Sequence, residues 1–462
     1  MVQLSSLVAA IKYEILASKK AIEDVGVSSI PQGVALLTGL IQAALIARGV
    51  GPNGMGTYAL ILSVSLFIAQ LSDVGIGTTA IRFAARAIAL GDESQQFAVL
   101  RWAFRRRLTL SLLLSFSVAI CSPYIAANLW HDNSITVLLQ LSLLIAIFGS
   151  LAHVPMIYFQ SRKQFRMNAV VLTAQTLISF VVILVIAWLN VWSLELIIVA
   201  SIIAAAVGAS VFLYTVPRRA LIDLRELREI LRISVGSIRG RSDSAHRDHL
   251  FQKNGIGSFA SYMLVSSVVV TIILQLDVWL QGFFIARSEL GIYSVAMRFT
   301  LPLVTVLYAI NVALWPRVSA STSTKTTMDL LKASLPLCLV AGVFLVIYSI
   351  FFPLLMPIVF GQSYRSGVFL GQLLCLRYCI AILSLPLIAI GYNFGLIRAY
   401  VKINIIQLVA VLSINIMFLP IIGATASAAA LIFSEIILLA LVGALIHKEI
   451  RAANFQHSSP TV

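Results

Sequence analysis

The sequence predicts an all-α polytopic membrane protein of twelve transmembrane helices, arranged as two six-helix bundles facing a central cleft. Three observations predict it. Of the 462 residues, 60% are hydrophobic and 11% charged, with a mean hydropathy of +0.98, outside the range of a soluble domain. The apolar residues fall in repeated runs of about 20, the length that crosses a roughly 30 Å hydrocarbon core at about 1.5 Å per helical residue. The basic residues behind the formal charge of +15 sit between those runs. No short alternating segments suggest a transmembrane β-barrel. A nucleic-acid partner is not indicated, because it would need that charge on an exposed folded surface.

Residues 1–28 read as a cytoplasmic amphipathic lead-in. Lysines follow its short apolar stretch, and no small-residue cleavage site precedes the first span. Spans are expected at 29–49, 57–80, 108–129, 135–157, 169–189 and 193–215, forming an N-terminal bundle (29–215). Six more follow at 259–285, 292–315, 333–358, 367–391, 403–420 and 423–446, forming a C-terminal bundle (259–447) with a tail at 448–462. The connection 216–258 is the longest. Its Leu221, Leu224, Leu227, Ile230 and Leu231 share one helical face, as an interfacial helix lying on the membrane would.

Twelve passes put both termini on one side. With the N-terminus inside, the inner segments hold 28 of the 33 Lys and Arg, and the outer loops hold Arg48, Arg287 and Arg365. The positive-inside rule therefore places both termini in the cytoplasm. The inner loops would attract anionic lipid head groups. Outer loops such as NVW (190–192) are too short for an extracytoplasmic domain. All four cysteines lie inside apolar runs, so neither a disulfide framework nor a zinc site is indicated.

The first span ends in ALIARGVGPNGMGTYAL (44–60) and the seventh in GFFIARSELGIYSVAM (282–297). Both run Ile-Ala-Arg, a short loop, then Gly-x-Tyr entering the next helix. The recurrence at the same place in each half, in the same orientation, predicts two parallel structural repeats with a cleft between them. Three stretches then resemble one family. They are LIARGVGPNGMGTYALILSVSLFIAQLSDVGIGTTAIRF (45–83), LQLDVWLQGFFIARSELGIYSVAMRF (274–299), and the segment from PIVFGQSYRSGVFLGQLLCLRYC (357–379) through KINIIQLVAVLSINIMFLPIIGATASAAALIFSEI (402–436). In order and spacing they are similar to the Wzx-type polysaccharide-biosynthesis membrane proteins, or O-antigen flippases, of the multidrug/oligosaccharidyl-lipid/polysaccharide (MOP) exporter superfamily. The connection departs from that pattern in SVGSIRGRSDSAHRDHLFQKNG, which looks like an insertion.

The resemblance implies a MATE-like fold in a bacterial inner membrane. It implies a flippase that moves a polyprenyl-pyrophosphate-linked oligosaccharide from the inner to the outer leaflet for O-antigen, capsule or exopolysaccharide synthesis. A polysaccharide polymerase and chain-length machinery would act next.

Charged residues inside the bilayer cost about 2.5–3.5 kcal/mol on insertion scales, so they face a bundle interior or a wet cavity. Arg377 lies near the midplane of its span, and Arg377, Ser384 and Gly391 recur every seven residues as one face expected toward the cleft. Glu435 lies at a similar depth, so Arg377 either pairs with it or meets an anionic head group, which guanidinium matches in a bidentate way. Asp277 and Arg298 are expected partners across the seventh and eighth spans. Ser63, Gln70 and Asp73 form a polar stripe on the second span, with Arg82 and Arg86 one turn apart at its inner end. Arg82 would meet a pyrophosphate first, and Arg298 and Arg377 would hold it. Asp73, Asp277 and Glu435 are candidate carriers of a coupling ion, H+ or Na+.

No phosphate-cradling glycine loop, Ser/His/Asp set or paired-His metal arrangement stands out, so no built-in ATPase, enzyme, cofactor or metal is expected. A membrane glycosyltransferase or polymerase would need polar catalytic residues in sizeable loops. A multidrug or cation antiporter of the same superfamily is the nearer alternative, and carboxylates and aromatics lining the pocket would favour it over embedded arginines.

Overall fold

The computed structural model describes residues 2–162, 164–220, 256–307, 310, 324–394 and 396–458. The expected interfacial helix at 221–233 lies outside them, as do most of the connection and the side chains of the segment 1–28. The backbone of 2–28 is helical and continuous with the first pass.

Twelve helices are described. They are α1 (Val2–Leu71), α2 (Ile76–Ala89), α3 (Glu93–Tyr124), α4 (Thr136–Ser161), α5 (Phe165–Leu189), α6 (Leu194–Tyr214), α7 (Ile256–Phe284), α8 (Arg287–Phe299), α9 (Thr324–Phe360), α10 (Val368–Asn393), α11 (Ile397–Ile422) and α12 (Thr425–Ser458). Among the described residues, eleven segments are long and apolar enough to cross a membrane. One of them, Pro31–Leu71, has 41 residues, about two bilayer widths at about 1.5 Å each. It breaks at Gly51, whose φ of 69° and ψ of 179° lie outside the helical region, and Pro52 opens the next segment, where its missing N–H costs nothing. Counting its two segments separately makes twelve passes.

The second pass is shorter than expected. It ends at Leu71 instead of 80, because Ser72–Gly75 forms a turn in which Val74 has φ 21° and Gly75 φ 74°. The chain then starts α2, which buries Ile76, Ala80, Ala84 and Ala87 and exposes Arg82 and Arg86. The stripe Ser63, Gln70 and Asp73 is therefore not one helical face.

Asp92 starts α3. Its carboxylate accepts from the Ser94 hydroxyl at 2.7 Å and the Gln95 N–H at 2.9 Å. These bonds, the hydroxyl first, hold its carboxyl below the usual carboxylate range. A depressed carboxylate contributes stability above its unfolded pKa and loses it as pH falls through the folded one. Asp92→Ala should accordingly raise amide hydrogen exchange in the first turn of α3 at neutral pH. Asp92→Asn, an equally good cap, should leave it protected.

The passes alternate between two ends. One carries α2 and the other basic connections (the basic end), and the other carries the short loops (the short-loop end). The repeat is visible in the connections. The third pass, α3, and the ninth, α9, reach the short-loop end, and each is followed by a 3-10 turn, Asn133–Ile135 or Gln362–Gly367, before α4 or α10. Phe116, Trp188, Ile350 and Met417 are exposed on the outside of the bundle, a pattern that lipid tolerates and water does not.

Packing shows how the halves meet. One buried apolar cluster joins both of them and reaches the short-loop end, where Ala47 and Met55 meet Leu290 and Tyr364. Toward the basic end the clusters separate. Ile76, Ala80, Leu100 and Phe212 belong to the N-terminal half alone, and Ile390, Tyr400, Ile403 and Val442 to the C-terminal half alone. Among the described residues, buried apolar packing thus joins the halves at the short-loop end, while these two further clusters each lie within one half.

Candidate functional site

The C-terminal half gathers four ionisable side chains from four helices at comparable depth. Asp277 of α7 is 2% exposed. It accepts a short hydrogen bond from the hydroxyl of Tyr293 on α8 and another from the Val278 N–H at 2.8 Å. The Nε of Arg377 on α10 lies 3.4 Å from Glu435 Oε1 on α12, and its guanidinium carbon is 5.2 Å from the Tyr378 ring centroid. Arg377 is also within electrostatic reach of Asp277 and Tyr293. Two carboxylates therefore share one guanidinium. Such a set has room for one more positive charge, a proton or a small cation.

A second constellation lies on the seam between the halves. Trp279 of α7 donates through Nε1 to Ser63 Oγ at 3.0 Å and meets Phe67 edge-on, with ring centroids 4.9 Å apart. Arg298 of α8, half-buried, places its guanidinium 5.3 Å from the centroid of Tyr58. Such a cation–π contact contributes about 0.5–2 kcal/mol and leaves the guanidinium donors free. The expected Asp277–Arg298 pair does not form. Tyr293 and Arg298 are five residues apart on α8, so they point to different sides, the tyrosine toward α7 and the arginine toward α1.

The Arg377, Ser384, Gly391 face is likewise not toward an open cleft. Ser384 is buried and donates to the Ala381 carbonyl at 2.8 Å, and Gly391 lies against the ring of Tyr400 on α11. The small residues let neighbouring helices approach closely, the usual use of such a stripe in a membrane bundle.

In the N-terminal half Asp73, in the turn after α1, pairs with Arg107 of α3 at 2.5 Å and accepts from the Gly77 N–H at 3.1 Å. Arg107 is 3% exposed and Asp73 37%. His153 of α4 is within electrostatic reach of both. Arg82 sits apart on the exposed face of α2. The three arginines expected to hold substrate thus occupy three different settings. Sequence reasoning missed Tyr293 and Arg107. A signal existed for Arg107, since Arg107, Ser111 and Ser115 repeat at four-residue spacing as the polar part of the buried face of α3.

Comparisons with known proteins agree with this architecture. Residues 21–242 match the family described as "Polysaccharide biosynthesis protein". A sequence search of curated proteins returns no match. Among solved structures, the chain is similar to an inward-facing multidrug resistance MATE family transporter of the MOP superfamily. The TM-score is 0.69 at 15% identity, over 94% of this chain and 100% of that one. An outward-facing multidrug resistance MATE family transporter gives 0.59 at 14% identity, over 93% and 94%. A MOP superfamily transporter from Pyrococcus furiosus, described as having a binding pocket of reverse polarity, gives 0.59 at 14% identity, over 93% and 94%. The chain thus has a MATE-like fold, and its residues 21–242 resemble the polysaccharide biosynthesis proteins.

Proposed function

We propose that the chain is a flippase for a saccharide carried on polyprenyl pyrophosphate, moving it from the cytoplasmic to the outer leaflet of a bacterial inner membrane for surface polysaccharide assembly. The observation that carries this reading is Arg298. Its guanidinium lies on the seam between the two halves, and among the described residues no carboxylate pairs with it. Guanidinium donors fit phosphate oxygens in a bidentate way, and a π-stacked arginine keeps them available. The Pyrococcus furiosus transporter with reversed pocket polarity supports the idea that this fold serves substrates of unlike charge.

In this reading the basic end is cytoplasmic, both termini lie there, and the cleft is open inward. Arg82, exposed on α2, captures the pyrophosphate at the mouth. Arg298 receives it on the seam, and Arg377 can exchange Glu435 for phosphate as the halves rock. The lipid tail stays in the bilayer. The Asp277–Arg377–Glu435 set, one carboxylate in excess, holds the coupling H+ or Na+, while Asp73 is committed to Arg107. Outside, a polymerase and its chain-length machinery consume the flipped unit.

The test is glycolipid flipping in proteoliposomes. A hydrogen bond to a charged group is worth about 1.5–3 kcal/mol, and about 1.4 kcal/mol is tenfold. Arg298→Ala should therefore slow flipping by roughly 10- to 100-fold while lowering stability by no more than the about 0.5–2 kcal/mol of the lost cation–π contact, and Arg298→Lys should slow it by less. Flipping at the wild-type rate by a well-folded Arg298→Ala protein would remove the head-group role.

A further inference from the structure

The repeat motif places one arginine at the same point in each half, Arg48 after Ile46-Ala47 and Arg287 after Ile285-Ala286. Both guanidinium groups cross to the opposite half. Arg48 Nε donates to the Val359 carbonyl at 3.0 Å, and its Nη2 makes a short bond to the Ile358 carbonyl, at the end of α9. Arg287 Nη2 donates to the Trp130 carbonyl at 2.5 Å, just past the end of the third pass, while its Nη1 holds its own Gly282 carbonyl at 2.9 Å. Each repeat's arginine thus caps the third helix of the other repeat.

We propose that Arg48 and Arg287 form a paired clasp that keeps the short-loop end shut, and that both must release for that end to open. This rests on the reading of the chain as a two-bundle alternating-access transporter, and it assigns the residues that hold one of its two states.

The local chemistry suits a releasable contact. The last carbonyls of a helix have no partner within it and lie at the negative end of its dipole, so a cation with forked donors stabilises them. Arg48 is exposed, and a cavity of about 320 Å³ lined by Trp130, His131, Asp132 and Phe283 opens beside Arg287. Water can replace either guanidinium when the contact breaks. Guanidinium is also weakly hydrated, so the exchange is nearly balanced.

Between the two arginines the halves touch backbone to backbone. A Cβ on Gly56 would run into the Arg287 carbonyl, and one on Gly291 into the Pro52 carbonyl, so the second residue pair of the repeat, Gly56 and Gly291, closes the seam by having no side chain. Tyr364 adds a hydroxyl bond to the Ala47 carbonyl at 2.9 Å. In the proposed reading the cleft opens toward the basic end, so alternation requires this seam to be the part that opens.

The experiment is a distance measurement across the short-loop end by double electron–electron resonance, without glycolipid. Spin labels go on Asn133→Cys and Ser363→Cys, exposed positions in opposite halves, with the four native cysteines replaced. The parent protein should give one short distance, with a long-distance population of about a tenth or less. Arg48→Ala with Arg287→Ala should make the long distance the majority, and the double lysine variant should fall between. Arg365→Ala, which removes an exposed charge at the same end, should leave the short distance.

An unchanged distribution in the double alanine protein, or an equal shift on Arg365→Ala, overturns the proposal. If the double alanine variant does not fold, the single variants and the double lysine variant are read by the same criterion. Failure of the parent protein to flip glycolipid, with the shift still seen in the double alanine variant, counts against the substrate assignment and leaves the clasp standing.

Discussion

Replacing Arg377 with alanine is expected to lower folding stability by about 3–5 kcal/mol, the range for removing one partner of a buried ion pair. The magnitude follows from what is left behind. Glu435 is 14% exposed and Asp277 2%, and both lose the one guanidinium within their reach. Glu435→Gln should be far milder, about 1 kcal/mol, since Arg377 keeps the nearby Asp277 charge and the Tyr378 ring. Adding Glu435→Gln to Arg377→Ala should then recover part of the loss. Thermal unfolding of the purified variants in one detergent, arranged as a double-mutant cycle, measures this coupling. Equal losses for the two single variants would contradict a network in which two carboxylates depend on one arginine. If Arg377→Ala is stable yet does not flip glycolipid, the arginine serves the substrate more than the fold.

The Asp73–Arg107 pair should show an asymmetry of the opposite kind. The guanidinium is 3% exposed, and the carboxylate, at 37%, already reaches water. Removing the carboxylate therefore strands a buried cation, whose Nε is already without a partner, and should cost about 3 kcal/mol. Arg107→Leu leaves a carboxylate that can turn to solvent, and about 1 kcal/mol or less is expected. Asp73→Asn should sit between, because its side-chain oxygen can still accept from the Gly77 N–H. Unfolding midpoints of the three variants decide it. A larger loss for Arg107→Leu than for Asp73→Ala would mean that packing of the arginine stem along α3 outweighs its charge.

Much of the architecture was legible because each pass is a local fact. About twenty apolar residues with a helical backbone meet the membrane's demand that every N–H and C=O be satisfied within the segment, so passes and repeat could be counted without contacts. The boundary at Leu71 was not legible in this way. TAIRFAARA continues the helical periodicity past Asp73, and the turn at Val74 and Gly75 depends on α2 lying back against α3 and α4. The Arg377–Glu435 pair was legible from matching depth. The partner of Asp277 was not, because depth alone does not say which way a residue on α8 points.

The amino-acid sequence alone determined that this is a twelve-pass helical membrane protein of two like halves, and where its charges lie along the chain, since hydropathy and short repeats are local quantities. Only the tertiary structure decided which charges meet. It gave Asp277 to Tyr293, Asp73 to Arg107 and Arg298 to Tyr58, and it carried the two repeat arginines across to the opposite halves. The physical reason is rotational. A side chain's depth is set by counting 1.5 Å steps along its helix, but its partner is set by the angle at which that helix packs on its neighbours, and that angle belongs to the whole bundle.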